Sequence, residues 1–119
     1  ISGFAGLPGM SVYGSTKAFI RSFSETLSVD LDKYGIDVTC LAPGFISTPL
    51  TQSNDHKMPF LITQEQAGKE IIKAIYKHKS LHIFPMPQKF IASFLYHLPR
   101  PIYRYIMKKD LTGLKASKH

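Results

Sequence analysis

Cysteine, tryptophan, long apolar runs and, toward the end of the chain, acidic residues are what this sequence has least of. Cys40 is the only cysteine and there is no tryptophan. A single thiol excludes an intrachain disulfide and a thiolate metal cluster. Cys40 sits in an apolar stretch and is expected to pack rather than react. The histidines (His56, His78, His82, His97 and His119) show no metal-ligand spacing, so no metal site is expected. No uninterrupted apolar run approaches the roughly 18 residues that a standard membrane span requires. No secretory leader is visible, but the chain opens on Ile1 rather than an initiator methionine, so that absence carries little meaning. From Gln88 to His119, seven Lys/Arg stand against Asp110 alone, whereas from Ile1 to Pro87 eight Lys/Arg stand against seven Asp/Glu. The formal charge of +7 therefore belongs to the tail.

What is present reads as an α/β chain. With 44% hydrophobic and 19% charged residues the composition is globular, and 119 residues suffice for one core. A loop punctuated by Gly3, Gly6, Pro8 and Gly9 precedes a long helix predicted over 11–34. Phe19, Phe23, Leu27 and Leu31 give that helix an apolar stripe. Gly35 is placed to end it in a left-handed conformation. Ile36 to Leu41 reads as a buried strand closed by Pro43-Gly44. Residues 49–62, with Pro49, Asn54, Asp55 and Pro59, show no clear period and are expected to form an irregular segment with at most a short helical piece. Thr63 and Gln66 form a capping box for a second helix reaching about Lys79, with Gly68, Ile71, Ile72, Ile75 and Tyr76 as its inner face. Leu81 to Phe84 is a short strand stopped by Pro85 and Pro87. Phe90, Ile91, Phe94, Leu95 and Leu98 share one face of a further helix, which Pro99 and Pro101 break. Another helix begins at Ile102, and residues 110–119 are expected to fray.

Tyr13 and Lys17 lie four apart at the start of the long helix, so their side chains share a face one turn apart. An ammonium beside a phenol favours the phenolate form. A hydroxyl that can give or take a proton is what carbonyl reduction and alcohol oxidation require. Spacing alone leaves a solvated helix face as the alternative; the flanking motifs decide.

Tyr13-Gly14-Ser15-Thr16-Lys17, the stretch Gly35 to Thr39, and Pro43-Gly44-Phe45-Ile46-Ser47-Thr48 occur in the order and spacing of the C-terminal half of a classical short-chain dehydrogenase/reductase. Residues 1–50 resemble that family well, and residues to about 85 do so in outline. The resemblance implies the C-terminal part of a Rossmann-type doubly wound parallel sheet with a helical C-terminal extension. Residues 1–87 would belong to the catalytic domain and 88–119 to a basic amphipathic extension. It implies hydride transfer between NAD or NADP and a small-molecule carbonyl or secondary alcohol. Tyr13 would act as acid/base. Lys17 would activate it and hold the cofactor ribose. Pro43, Gly44, Ile46 and Thr48 would form the cofactor-closing turn, which glycine lets the ligand approach. Ser11, Leu50 and Phe60 are candidate pocket walls.

Counting back from Tyr13, the family's substrate-binding serine falls on the position just before Ile1, with Ser2 as the alternative. The glycine-rich dinucleotide fingerprint is absent, and with it the residue that selects NAD or NADP. The chain is therefore expected to be a piece of a protein roughly twice as long and inactive by itself. The resemblance implies a cytoplasmic protein, with membrane association left open, that assembles as a homo-oligomer through helix 11–34.

The alternative to an enzyme is an inactive relative acting as a binding or scaffold protein, or as a peripheral membrane-interaction module. Three readings of the tail remain open. Residues 88–109 suit contact with an anionic membrane, or packing on their own domain with snorkelling cations. Aromatics interleaved with basic residues also suit nucleic acid, but no nucleic-acid motif accompanies them and no such partner is expected.

Overall fold

The computed structural model describes residues 2–52 and 58–116, with 110–116 as backbone alone. Asn54, Asp55, His56 and His119 lie outside the described residues. Helix α1 runs Ser11–Asp32, β1 Cys40–Pro43, α2 Pro49–Gln52, α3 Gln64–Tyr76, β2 Leu81–Phe84, α4 Met86–His97 and α5 Arg100–Ala116. The strands are parallel, with Cys40 opposite Leu81 and Pro43 opposite Phe84. Parallel neighbours need a crossover, and α3 lies within it. This mixed order with a parallel pair is the α/β architecture of part of a doubly wound sheet, followed by two helices.

Local chemistry accounts for the element ends. Gly35 takes φ +68° just past α1, where a side chain would be strained. Thr63 accepts from the Gln66 N–H at 3.2 Å while the Thr63 N–H donates to Gln66 Oε1 at 2.9 Å, completing the expected capping box. Pro101 near the start of α5 sits where a helix has no N–H to lose.

Several sequence expectations are corrected. Strand β1 spans Cys40–Pro43 rather than 36–41. Pairing begins only where Ser80 arrives, its carbonyl accepting from the Cys40 N–H at 2.8 Å; Ile36 instead donates to Leu31 O and closes the helix end. In α1 the stripe is divided: Leu27 and Leu31 are half-buried, but Phe19 and Phe23 are exposed and stack on each other, while Gly14 is buried and Ala18 and Arg21 half-buried. Small residues let the loop of residues 2–4 lie close, so they, not the aromatics, set the contact. In α3 the inner face is Ala67 and Ala74, with Gly68 and Ile71 half-buried; Ile72, Ile75 and Tyr76 stay exposed. The helix ends at Tyr76, before Lys79. In α4, for which packing and membrane contact were both left open, Gln88 and Ala92 are buried, Leu95 and Leu98 half-buried, and Phe90 and Phe94 outward. Helix α5 continues to Ala116, where fraying was expected.

The core is correspondingly small: among the described residues Phe84 is the largest fully buried side chain, and the other buried apolar residues are Ala5, Ala67, Ala74 and Ala92. A polar clamp ties α3 to β2. The Lys79 ammonium can only donate, so its 3.3 Å contact makes His82 Nδ1 an acceptor; Nε2–H then donates to Glu70 Oε2 at 2.8 Å. That hydrogen bond, helped by the Lys73 ammonium, holds the Glu70 carboxyl below its ordinary value of 4.5. A depressed carboxyl contributes stability above its unfolded value, and the contribution is lost as pH falls through the folded one. Glu70→Gln should therefore melt below the parent protein near pH 6. The gap should close as pH drops under 4.5, which thermal melts followed by circular dichroism would check.

Candidate functional site

The first two turns of α1 place Tyr13 and Lys17 side by side. The Lys17 ammonium lies 5.3 Å from the centre of the Tyr13 ring. Both face a cleft of about 170 Å³ between the start of α1 and β1, walled also by Ser2, Gly3, Leu41 and Pro43. Tyr13 remains 49% exposed, so its hydroxyl is open to a ligand or to water.

Two glycines bring the opening loop against this helix. A Cβ on Gly3 would stand 3.1 Å from the Lys17 carbonyl oxygen, and one on Gly14 would stand 3.1 Å from the Ser2 carbonyl oxygen. Contacts that tight exclude a side chain at either position without a shift of backbone. Arg21 then fastens the loop, donating from Nε to the Gly3 carbonyl at 3.3 Å and covering the Phe4 ring at 5.2 Å. Sequence reading passed over Gly3, Gly14 and Arg21 as parts of the site. The legible signal was Gly14 itself, since a glycine inside a helix costs about 1 kcal/mol against alanine and so points to a close approach.

Of the remaining expected residues, the structure brings Pro43 to the same cleft and leaves the others outside its wall. Gly44 follows directly, its N–H donating to the Phe84 carbonyl at 2.7 Å, which extends the strand pairing one step. The buried Gln88 of α4 covers it: a Cβ on Gly44 would stand 3.0 Å from that side chain. Ile46 pairs in parallel with Ile62. Phe45 O accepts from the Ile62 N–H and Ser47 N–H donates to Ile62 O. In such a bridge the Ile46 N–H and carbonyl point the other way; the carbonyl accepts from Thr51 Oγ1 at 2.8 Å. Thr48 accepts from the Thr51 N–H at 3.3 Å and donates its own N–H to Thr51 Oγ1 at 2.7 Å, latching the turn to α2. Ser11 opens onto a separate depression beside Gly6 and Arg100. Leu50 on α2 and Phe60 are solvent-facing at 79% and 48%.

The family described as short chain dehydrogenase matches residues 1–59. An uncharacterised oxidoreductase of Myxococcus xanthus (strain DK1622) is 36% identical over 103 residues, covering 87% of this chain and 41% of that protein. The 3-oxoacyl-[acyl-carrier-protein] reductase FabG of Chlamydia trachomatis (serovar D) is 46% identical over 57 residues, 47% of this chain and 23% of its own. A diacetyl reductase [(S)-acetoin forming] of Staphylococcus aureus (strain Mu50) is 38% identical over 68 residues, 57% of this chain and 24% of its own. The chain thus spans less than half the length of these relatives. No solved structure matches it. The matching family covers Tyr13, Lys17 and the turn after β1, and the α/β arrangement agrees with it: the chain belongs to the short-chain dehydrogenase/reductase family.

Proposed function

We propose that the intact protein is an NAD(P)-dependent oxidoreductase acting on a carbonyl or secondary alcohol, with its reaction centre at the Tyr13–Lys17 cleft. The observation that carries this reading is the placement of phenol and ammonium together on a cleft that runs along parallel strand β1 to its carboxyl end at Pro43. Ligands of open α/β sheets gather at such ends. Tyr13 Oη gives its proton to the carbonyl oxygen in reduction and takes one from the alcohol in oxidation. Lys17 holds its ammonium beside the phenol and binds ribose hydroxyls. The turn suits a nicotinamide group: the Ile46 N–H lies on the side away from Ile62, where an amide oxygen can accept from it. Thr48, whose hydroxyl meets that of Thr51, would contact the amide or a phosphate. The cofactor, when bound, supplies or accepts hydride.

Two relatives are reductases of a 3-oxoacyl group and of diacetyl. Carbonyl compounds of that kind are the first substrates to try. The intact protein, given NADH or NADPH and diacetyl or a 3-oxoacyl thioester, is expected to consume the reduced cofactor, read by its absorbance. Cofactor binding without turnover on any carbonyl or alcohol would favour the inactive-relative reading instead. Neither binding nor turnover would remove the proposal altogether.

Assembly through helix 11–34 belongs to the same reading. Val12, Phe19 and Phe23 are 78%, 67% and 55% exposed on α1, a face that a second copy would bury.

A further inference from the structure

Helix α4 carries its large apolar side chains on the wrong side for a core helix. Its packed positions are Gln88 and Ala92, while Met86, Phe90 and Phe94, each one turn from the next, are 59%, 67% and 61% exposed. Where α4 meets α5, the side chains of Phe90, Phe94, Leu98 and Pro99 line an open apolar groove of about 520 Å³. Helix α5 repeats the arrangement. Tyr103 and Met107 are half-buried, and the Tyr103 hydroxyl donates to the Gly6 carbonyl. Ile102 and Tyr105 point outward at 50% and 70%, with Arg104 and Lys108 exposed beside them.

Charge indicates what covers this face. Residues 86–109 hold five Lys/Arg and no Asp or Glu, in a chain whose first 87 residues are nearly balanced. Among the described residues no helix is long and apolar enough to cross a membrane. Outward aromatics interleaved with cations, on helices that cannot span, are the pattern of segments that lie in a headgroup layer. We propose that α4, the elbow at Pro99 and α5 form a docking face for an anionic phospholipid surface. Phe90 and Phe94 enter the acyl boundary, Tyr105 lies at headgroup level, and Arg104 and Lys108 meet lipid phosphates and carboxylates. This inference stands independently of the oxidoreductase reading.

The test is sedimentation of the intact protein with vesicles of phosphatidylcholine alone and of phosphatidylcholine with phosphatidylserine. Recruitment is expected only to the anionic vesicles, with release at about 1 M salt, where the Debye length falls to about 3 Å. Arg104→Gln with Lys108→Gln should lower the partition coefficient about twenty-five-fold, at roughly a fivefold factor for each cation. Phe90→Ser with Phe94→Ser should abolish recruitment with an unchanged melting midpoint, because neither ring is buried. Equal recruitment to neutral vesicles, or recruitment that survives both double variants, would overturn the proposal. So would failure to sediment at all. A dimer that Phe90→Ser with Phe94→Ser disperses in size-exclusion chromatography, without vesicle recruitment, would also overturn it and assign the face to a second copy.

Discussion

Tyr13→Phe in the intact protein should lower turnover by about two to four orders of magnitude, the contribution of a positioned acid/base group. Cofactor affinity should stay nearly unchanged. The substitution removes one oxygen and keeps the ring, which is half exposed on the cleft wall and leaves no cavity behind. A structural role would predict the reverse, a lowered melting point with turnover kept. Kinetics on an identified substrate, beside a direct titration of the reduced cofactor, separates the two. Near-normal turnover in the variant would end the acid/base assignment for Tyr13.

Lys17→Ala should damage both quantities at once, because one ammonium is proposed to serve the phenol and the ribose. Turnover and cofactor affinity are each expected to fall by an order of magnitude or more, with turnover taking the larger loss through its dependence on Tyr13. Lys17→Arg should recover little. The ammonium sits 5.3 Å from the Tyr13 ring as a compact charge, and a planar guanidinium neither occupies that point nor offers the same donors. A variant that loses cofactor affinity but keeps turnover at saturating cofactor would show that Lys17 only holds the ribose. The melting point should move little in either variant, since the side chain lies on the exposed side of α1.

The contrast between these two residues and their neighbours shows what a sequence exposes. Tyr13 and Lys17 are legible because a helix repeat of four is local, and the Thr63–Gln66 capping box is legible for the same reason. The two strands were both found, yet β1 was placed too early. Ile36 to Leu41 has the right composition, but pairing depends on where Ser80 and Leu81 arrive, which no local pattern records. Helix faces were read only in part. Periodicity ranks positions by size and apolarity, so beside the half-buried Leu27, Leu31 and Ile71 it selected Phe19, Phe23, Ile72, Ile75 and Tyr76, which are exposed. The contacts in this chain are made by Gly14, Ala67, Ala74, Gln88 and Ala92, where small side chains or one well-fitted amide let backbones approach. The cleft wall from Ser2 and Gly3 was equally hidden, because it depends on two glycines and an arginine that meet only after folding.

The space left empty at Gly44 and filled by Gln88 couples two positions distant in the sequence. They share one volume, so neither can drift alone. Alanine at 44 would require a shorter or displaced side chain at 88, and a bulkier residue at 88 would press on the turn after β1. An exchange that kept the sum of the two would pass unnoticed by the fold. The C-terminal segment is thus coupled through one contact to the turn it covers, and a graft of this tail onto another chain would fit best with glycine at position 44.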